Sequence, residues 1–298
     1  TQGKLHSQDR APAIKKYFNS GALELSFDYK KGKPHGLHIA YHPNGVIASS
    51  VEYVDGEKSG KEEFFSETGE LIGEGQFETG IRVGGHYKKN TRGIFLYQGD
   101  FDLEVTSKTS VEERSDSGDL LKRYRLKKNK IHGTCYEWSP TGALNHIRNF
   151  VDGEITGEQK EYFSDGKLFV KVNMTQGRKS GNFERYFDNG RLEVEAQFKD
   201  DQLHGELKVW YENGQQKEVS EYREGKLHGK SFHYYPSGQL EAEKHYSKGV
   251  YDGEVTVWYL SGQKASHESY VLGAADGKCE AWYESGDLKK LLFFERGQ

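Results

Sequence analysis

Two cysteines, one methionine and five prolines are all that 298 residues contain of these types. Cys135 and Cys279 cannot build a disulfide framework, and neither sits in a CxxC pair. So little proline excludes a collagen-like or proline-rich chain. No apolar run approaches the roughly 18 residues of a membrane-spanning helix. Hydrophobic residues make up only 34%, which is thin for a large globular core. Charge of one sign is also lacking: 42 Lys and Arg against 46 Asp and Glu leave a formal net charge of -4. A chain so balanced has no global pull on nucleic acid or on an anionic membrane. GxSxG, HExxH and Walker A signatures are absent, so no catalytic motif stands out. Nothing in the residues calls for a cofactor or a metal. The sequence starts at Thr1 rather than Met, which predicts a trimmed N-terminus; a secretory or lipoprotein signal would have preceded it, so the compartment stays open.

What the chain does have is glycine, 36 residues of it, and aromatics, with 16 Phe, 19 Tyr and 4 Trp. So many rings argue against disorder. Twelve glycines fall in register, from Gly21, Gly45 and Gly69 to Gly238, Gly262 and Gly286; every interval is 24 residues except Gly93 to Gly118, which is 25. A fixed period of this size marks a repeat architecture. Taking that glycine as position zero, an aliphatic recurs at plus two (Leu168, Leu192, Leu240) and a large apolar residue at plus eight (Phe150, Phe198, Tyr222). An aromatic recurs at minus four (Tyr186, Trp210, Tyr234), and further glycines at plus eleven and plus fifteen (Gly225, Gly229).

Plus two and plus eight differ by an even number, so an uninterrupted strand puts both on one face. Asn44-Gly45, Asn189-Gly190, Asn213-Gly214 and Asp165-Gly166 are type I′ hairpin signals, and the plus-eleven glycine marks a second polar turn. Each unit therefore reads as two strands and two turns. The predicted fold is all-β: an elongated open solenoid of about twelve stacked 24-residue antiparallel β-hairpins, filling residues 15–298. Residues 1–14 match no unit and read as a cap or frayed segment. Two strands per unit at about 4.8 Å each give an expected contour on the order of 110 Å before twist.

The residues that carry this period also carry a resemblance. Tyr211-Glu212-Asn213-Gly214 running into Glu224-Gly225-Lys226-Leu227-His228-Gly229, and Tyr41-His42-Pro43-Asn44-Gly45 running into Asp55-Gly56-Glu57-Lys58-Ser59-Gly60, resemble the MORN repeat. More narrowly they resemble the bacterial MORN-variant units of YwqK-type antitoxins. The resemblance implies a twisted sheet of stacked hairpins and a non-enzymatic protein-binding scaffold, immunity-like, that neutralises a toxin or effector by direct binding. The compartment stays unknown, between bacterial cytoplasm and cell envelope. The alternative is a cell-envelope or membrane-associated scaffold contacting lipid headgroups, which the balanced charge disfavours.

Several residues stand out against the period. The unit near 87–117 loses both hairpin glycines, to Glu104 and Lys108, and its minus-four aromatics, to Lys89 and Arg114. It reads either as a hinge or binding segment or as a degenerate unit that a solenoid tolerates. His35, His132, His204 and His228 precede the plus-fifteen glycine; strand spacing keeps neighbouring copies roughly 9–10 Å apart, too far to share a metal, so they read as turn residues. Glu161, Glu184, Glu212 and Glu284 could pair as acid and base but read as solvated strand faces. A second aromatic follows the minus-four one in the last six units: Phe163, Phe187, Tyr211, Tyr235, Tyr259 and Tyr283. By alternation it points to the opposite face, whereas His42, Ser66, Asn90, Ser115 and Ser139 hold the same site earlier. These six residues, with Leu292 and Phe294 in the apolar final strand, are the candidate contact residues, for a protein partner or for a homodimer through the C-terminal repeats.

Overall fold

The computed structural model describes residues 13–101 and 110–297. The expected N-terminal cap and the polar run of the irregular unit fall mostly outside these residues. Every regular element described is a β-strand, with no helix among them. The chain forms two compact units, Thr1–Leu144 with Phe150–Gly153, and Asn145–Asn149 with Glu154–Gln298. The division lies between residues 144 and 154, past the irregular fourth unit. In the first unit, strands from Ile14–Tyr17 to Gly133–Trp138 pair antiparallel, each with the next. In the second, Gly157–Tyr162 begins a ladder that runs the same way to Leu288–Phe294. Among the described residues neither unit pairs its first strand with its last, so neither closes into a barrel.

Both predicted turns are present, but the type I′ geometry expected at the first is found at the second. At Tyr211–Gly214 the Gly214 amide donates to the Tyr211 carbonyl (2.8 Å) and the Tyr211 amide donates to the Gln215 carbonyl (2.8 Å). Only Gly214 has positive φ, at 91°, while Asn213 does not. This is a three-residue loop, a type I turn closed by a left-handed glycine, not the two-residue type I′ turn that Asn-Gly predicts. Asn213 is there for another reason. Its Oδ1 accepts the Gln215 amide (3.0 Å), and its Nδ2 donates to the Pro236 carbonyl of the next turn (2.8 Å). The type I′ turn is the second one: Glu224 and Gly225 both have positive φ, 52° and 74°, as do Gln176 with Gly177 and Lys248 with Gly249. The Gly225 amide then donates to the Leu203 carbonyl of the preceding unit (2.9 Å), so this edge is also tied from turn to turn.

A bulge overturns the expected faces. Arg185 pairs with Val194 but Tyr186 pairs with Leu192, leaving Glu193 as an extra residue. The same slip recurs at Lys217, Glu241 and Ala265. One extra residue inverts side-chain parity. Leu192 therefore lies opposite Tyr186 on one face, here called outer. Phe198 lies opposite Gly181, and Ala196 opposite Phe183, on the inner face. The rings of Phe183 and Phe198 meet there, with centroids 5.6 Å apart. Plus two and plus eight, six residues apart, are on opposite faces.

The deepest burial is on the inner face, in a row the period does not advertise, at minus seven and plus six. Val111, Tyr124 and Cys135 form one cluster with Tyr97, Phe101 and Leu126 packed on it. In the second unit Ala196, Ser220, Ser231 and Val255 occupy the same row. Small residues on one strand make room for larger ones on the next. A Cβ placed on Gly75 would stand 2.1 Å from Nδ1 of buried His86. The outer face carries aromatic–aliphatic pairs near the three-residue turns and ion pairs along the strand middles, as between Lys61 and both Glu63 (2.8 Å) and Glu74 (2.9 Å).

Candidate binding surfaces

The second aromatic of each doublet stands at the first corner of the three-residue turn. In three of the six its side chain reaches sideways to the next unit, rather than simply opposing the minus-four aromatic. Tyr211, Tyr235 and Tyr259 donate their hydroxyls to the carbonyls of Tyr234, Trp258 and Trp282, at 2.9, 2.8 and 2.9 Å, each 23 residues on. His42 makes the same bond through Nε2 to the Phe65 carbonyl (2.9 Å). Ser66, Ser115 and Ser139 instead close their own turns, each Oγ accepting the amide four residues on, at 3.1 Å. The change from serine to Tyr211, Tyr235 and Tyr259 at this position is thus a change from local closure to a tie between units. Phe163 meets Phe169, centroids 4.7 Å apart. Tyr283 is the exposed member of the row, at 52%.

On the opposite edge two of the four histidines, His35 and His132, act as turn caps, while Nδ1 of His204 is buried with no hydrogen-bond partner among the described residues. Nδ1 of His35 accepts the Asp55 amide (3.4 Å) and Nδ1 of His132 the Asp152 amide (3.3 Å), in each case the first positive-φ residue of the next type I′ turn. Asp252 and Asp276 do the same with Oδ1 for Leu272 (3.2 Å) and Arg296 (3.0 Å). Among the described residues no three His, Cys, Asp or Glu side chains converge on a point that could hold a metal.

The inner face holds one polar chain with catalytic residue types. Ser220 Oγ donates to Glu218 Oε1 (2.6 Å), Ser220 and Ser231 share a hydrogen bond (2.8 Å), and Ser231 Oγ lies 3.1 Å from Nε2 of His233. Burial, then the nearby Lys244, holds the His233 pKa below its usual value. Because Ser220 gives its proton to Glu218, Ser231 donates to Ser220 and accepts from His233 Nε2, so the ring is no base toward it. Ser231 is also only 1% exposed, without access to a substrate. The chain satisfies polar groups across two neighbouring strands of the face. Of the four carboxylates weighed from the sequence, Glu184 is the most engaged: burial raises its pKa, but bonds from Lys171 (2.8 Å) and the Tyr186 hydroxyl outweigh it and hold it low.

The strand Leu288–Phe294 is paired with Gly277–Trp282 on one side only among the described residues. Leu288 is 52% exposed and Phe293 71%, with Leu291 and Leu292 also exposed. Leu292 and Phe294 line a hollow of about 180 Å³ together with Tyr270, Cys279 and Ala281. The Tyr270 hydroxyl donates to Glu268 (2.5 Å); that bond, with burial, pushes its pKa up to about 12. The structure therefore brings Leu292 and Phe294 together, and places Tyr211, Tyr235 and Tyr259 in a separate row along the turns.

Sequence reasoning passed over a basic stretch in the first unit: Lys122, Arg123, Arg125, Lys127, Lys128 and Lys130 put six cations in nine residues with no carboxylate. A local charge count would have found it, where the global balance hid it. The stretch borders the largest hollow described, about 840 Å³.

Comparison with known proteins gives one family. The family described as MORN repeat variant matches residues 34–55, 155–176, 179–200, 203–224 and 227–248. Repeats of this kind mediate binding to proteins or membranes. Comparison with curated proteins finds no significant match. Among solved structures, a crystal structure of TcdB2–TccC3–Cdc42 is 11% identical with a TM-score of 0.20, covering 95% of this chain and 18% of that one. A Photorhabdus luminescens Tc holotoxin pore with mutated TccC3 is 12% identical with a TM-score of 0.19, covering 96% and 18%. The chain spans less than a fifth of those chains, and at such TM-scores the likeness carries nothing further.

Proposed function

We propose that this chain is a non-enzymatic protein-binding scaffold, immunity-like, that neutralises its partner by occupying the partner's surface. The contact is made through the apolar strand Leu288–Phe294 and the adjoining Tyr283. One observation carries the reading: Leu288, Leu291 and Phe293 stand exposed together on the outer face of this edge strand, with Leu292 exposed on its inner face, in a chain that is only 34% hydrophobic. Contiguous exposed apolar side chains mark interaction sites. Beside them, the hollow lined by Leu292 and Phe294 offers a seat for one partner side chain. Pairing of a partner strand to this one would add main-chain hydrogen bonds to the apolar contact.

The test is mass in solution. Light scattering of the 34.0 kDa chain is expected to show self-association or a complex with its partner that disappears in the Leu292→Lys, Phe293→Lys double variant. A variant that stays folded and associates undiminished would place the contact elsewhere.

A further inference from the structure

We propose that the cleft formed by strands Ser110–Arg114, Leu120–Lys127 and Gly133–Trp138 is a docking site for an extended acidic peptide segment of a partner protein. The inference rests on the protein-binding reading but concerns a different surface, in the other compact unit.

The cleft gets its charge from strand geometry. Arg123, Arg125 and Lys127 alternate along one strand and so share its outer face, while Lys122 points inward toward Glu137 (3.2 Å). Across the ladder Arg123 pairs with Glu112, and Arg125 with Ser110. All of these except Lys122 and Glu137 line the hollow of about 840 Å³, together with His132 and Tyr136.

The cations outnumber their partners. Glu112 takes both Arg114 (2.7 Å) and Arg123 (2.8 Å). Burial works against its ionisation, but the two guanidinium bonds prevail and hold its pKa low, so it is a fixed negative charge. Asp152 takes His132 (3.4 Å) and Lys127 (3.7 Å). The Arg125 guanidinium, exposed between them, has no carboxylate partner among the described residues. Two carboxylates thus face four full cations. Beside them Tyr136 is 37% exposed and stacks on Trp138, centroids 5.9 Å apart, and the Arg123 guanidinium lies over Trp138 at 5.9 Å.

An acidic peptide fits this arrangement better than a nucleic acid. In an extended chain, residues i, i+2 and i+4 project to one side at roughly 7 Å intervals, the same interval that separates Arg123, Arg125 and Lys127. Carboxylates at alternate positions can therefore meet the three cations in register. Glu112 and Asp152 flank the row and can lie opposite the intervening uncharged residues. A duplex with one charge about every 1.7 Å of axis would bring phosphates against both carboxylates.

The experiment uses the full chain and a fluorescein-labelled peptide of alternating glutamate and serine, read by anisotropy. Binding is expected at low salt and should weaken at about 1 M salt, where the Debye length falls to roughly 3 Å. The Arg125→Glu, Lys127→Glu variant is expected to lose at least about tenfold in affinity. Arg125→Ala, which removes an exposed group, should retain the fold and still bind more weakly. Phe293→Lys should bind the peptide as the parent does, so failure here and failure of the edge-strand contact are told apart. The proposal is overturned if both Arg125 variants bind the peptide undiminished. It is equally overturned if the peptide fails to bind, including when oligothymidylate or phosphatidylserine vesicles bind in its place.

Discussion

The hydroxyl of Tyr235 donates to the main-chain carbonyl of Trp258, 2.8 Å away and 23 residues later in the chain. One side chain thus ties the turn of one unit to the strand end of the next. A hydrogen bond of this kind contributes about 0.5–1.5 kcal/mol net, so Tyr235→Phe is expected to destabilise by that amount in urea unfolding. Tyr283→Phe, on an exposed ring, should stay within about 0.5 kcal/mol of the parent. Equal effects at the two positions would deny the tie a role.

Two glycines separate the effects of space and of backbone conformation. Gly75 has no positive φ, but its Cβ would fall 2.1 Å from His86, whose Nε2 lies within bonding distance of the Gln76 carbonyl (2.8 Å) and amide (3.1 Å) and bonds one or the other according to its tautomer. Gly75→Ala should cost about 1–3 kcal/mol by overpacking. Gly177 has φ of 76° and nothing within 4 Å of the added Cβ. Gly177→Ala should cost about 1–2 kcal/mol from the left-handed conformation alone, and Gly177→Asn less. Thermal or urea unfolding of the three variants checks this.

Stability should fall on mild acidification. Burial, ahead of the other influences, holds His86 and His233 below the ordinary 6.5 in the folded chain. Between 6.5 and the folded value, the unfolded chain binds protons that the folded chain does not. Stability is therefore full above about pH 6.5 and declines as pH drops below it. Glu243 titrates lower: its bond from Lys230, despite some burial, depresses it below 4.5, so its contribution is lost only as pH falls beneath that value. Urea midpoints from about pH 8 to about pH 5 test the first window, and His233→Gln should flatten part of the slope. A flat profile in the parent would contradict the burial of both rings.

The period, the strand count per unit and both turn positions were legible from glycine spacing alone. The turn types were not. Asn213-Gly214 carries the strongest type I′ signal, yet Asn213 is selected for its bonds to Gln215 and Pro236, and Gly214 alone takes positive φ. The faces were misread for a related reason. Glu193, Lys217, Glu241 and Ala265 hold no single residue type, so nothing at the bulge announces it, and one unseen residue reverses every parity beyond it. The buried row was hidden too, because position minus seven holds His86, Val111, Cys135, Gln159 and Ser231, alike only in their place on the ladder. Leu292 and Phe294, singled out by the apolar run, line one hollow. The Arg125 cleft was masked by a net charge that averages over the chain.

The placement of each surface depends on the parity reversal that recurs along the ladders, and at Glu193 a pair of double-mutant cycles measures it most directly. Phe183 and Phe198 lie on different strands of one face, whereas Leu192 and Phe198 lie six residues apart on one strand but on opposite faces. With alanine at each site and urea unfolding as the readout, Phe183 and Phe198 are expected to couple by about 0.5–1.5 kcal/mol. Leu192 and Phe198 should be additive within about 0.3–0.5 kcal/mol. Coupling between Leu192 and Phe198 with none between Phe183 and Phe198 would restore the uninterrupted strand and contradict the faces described.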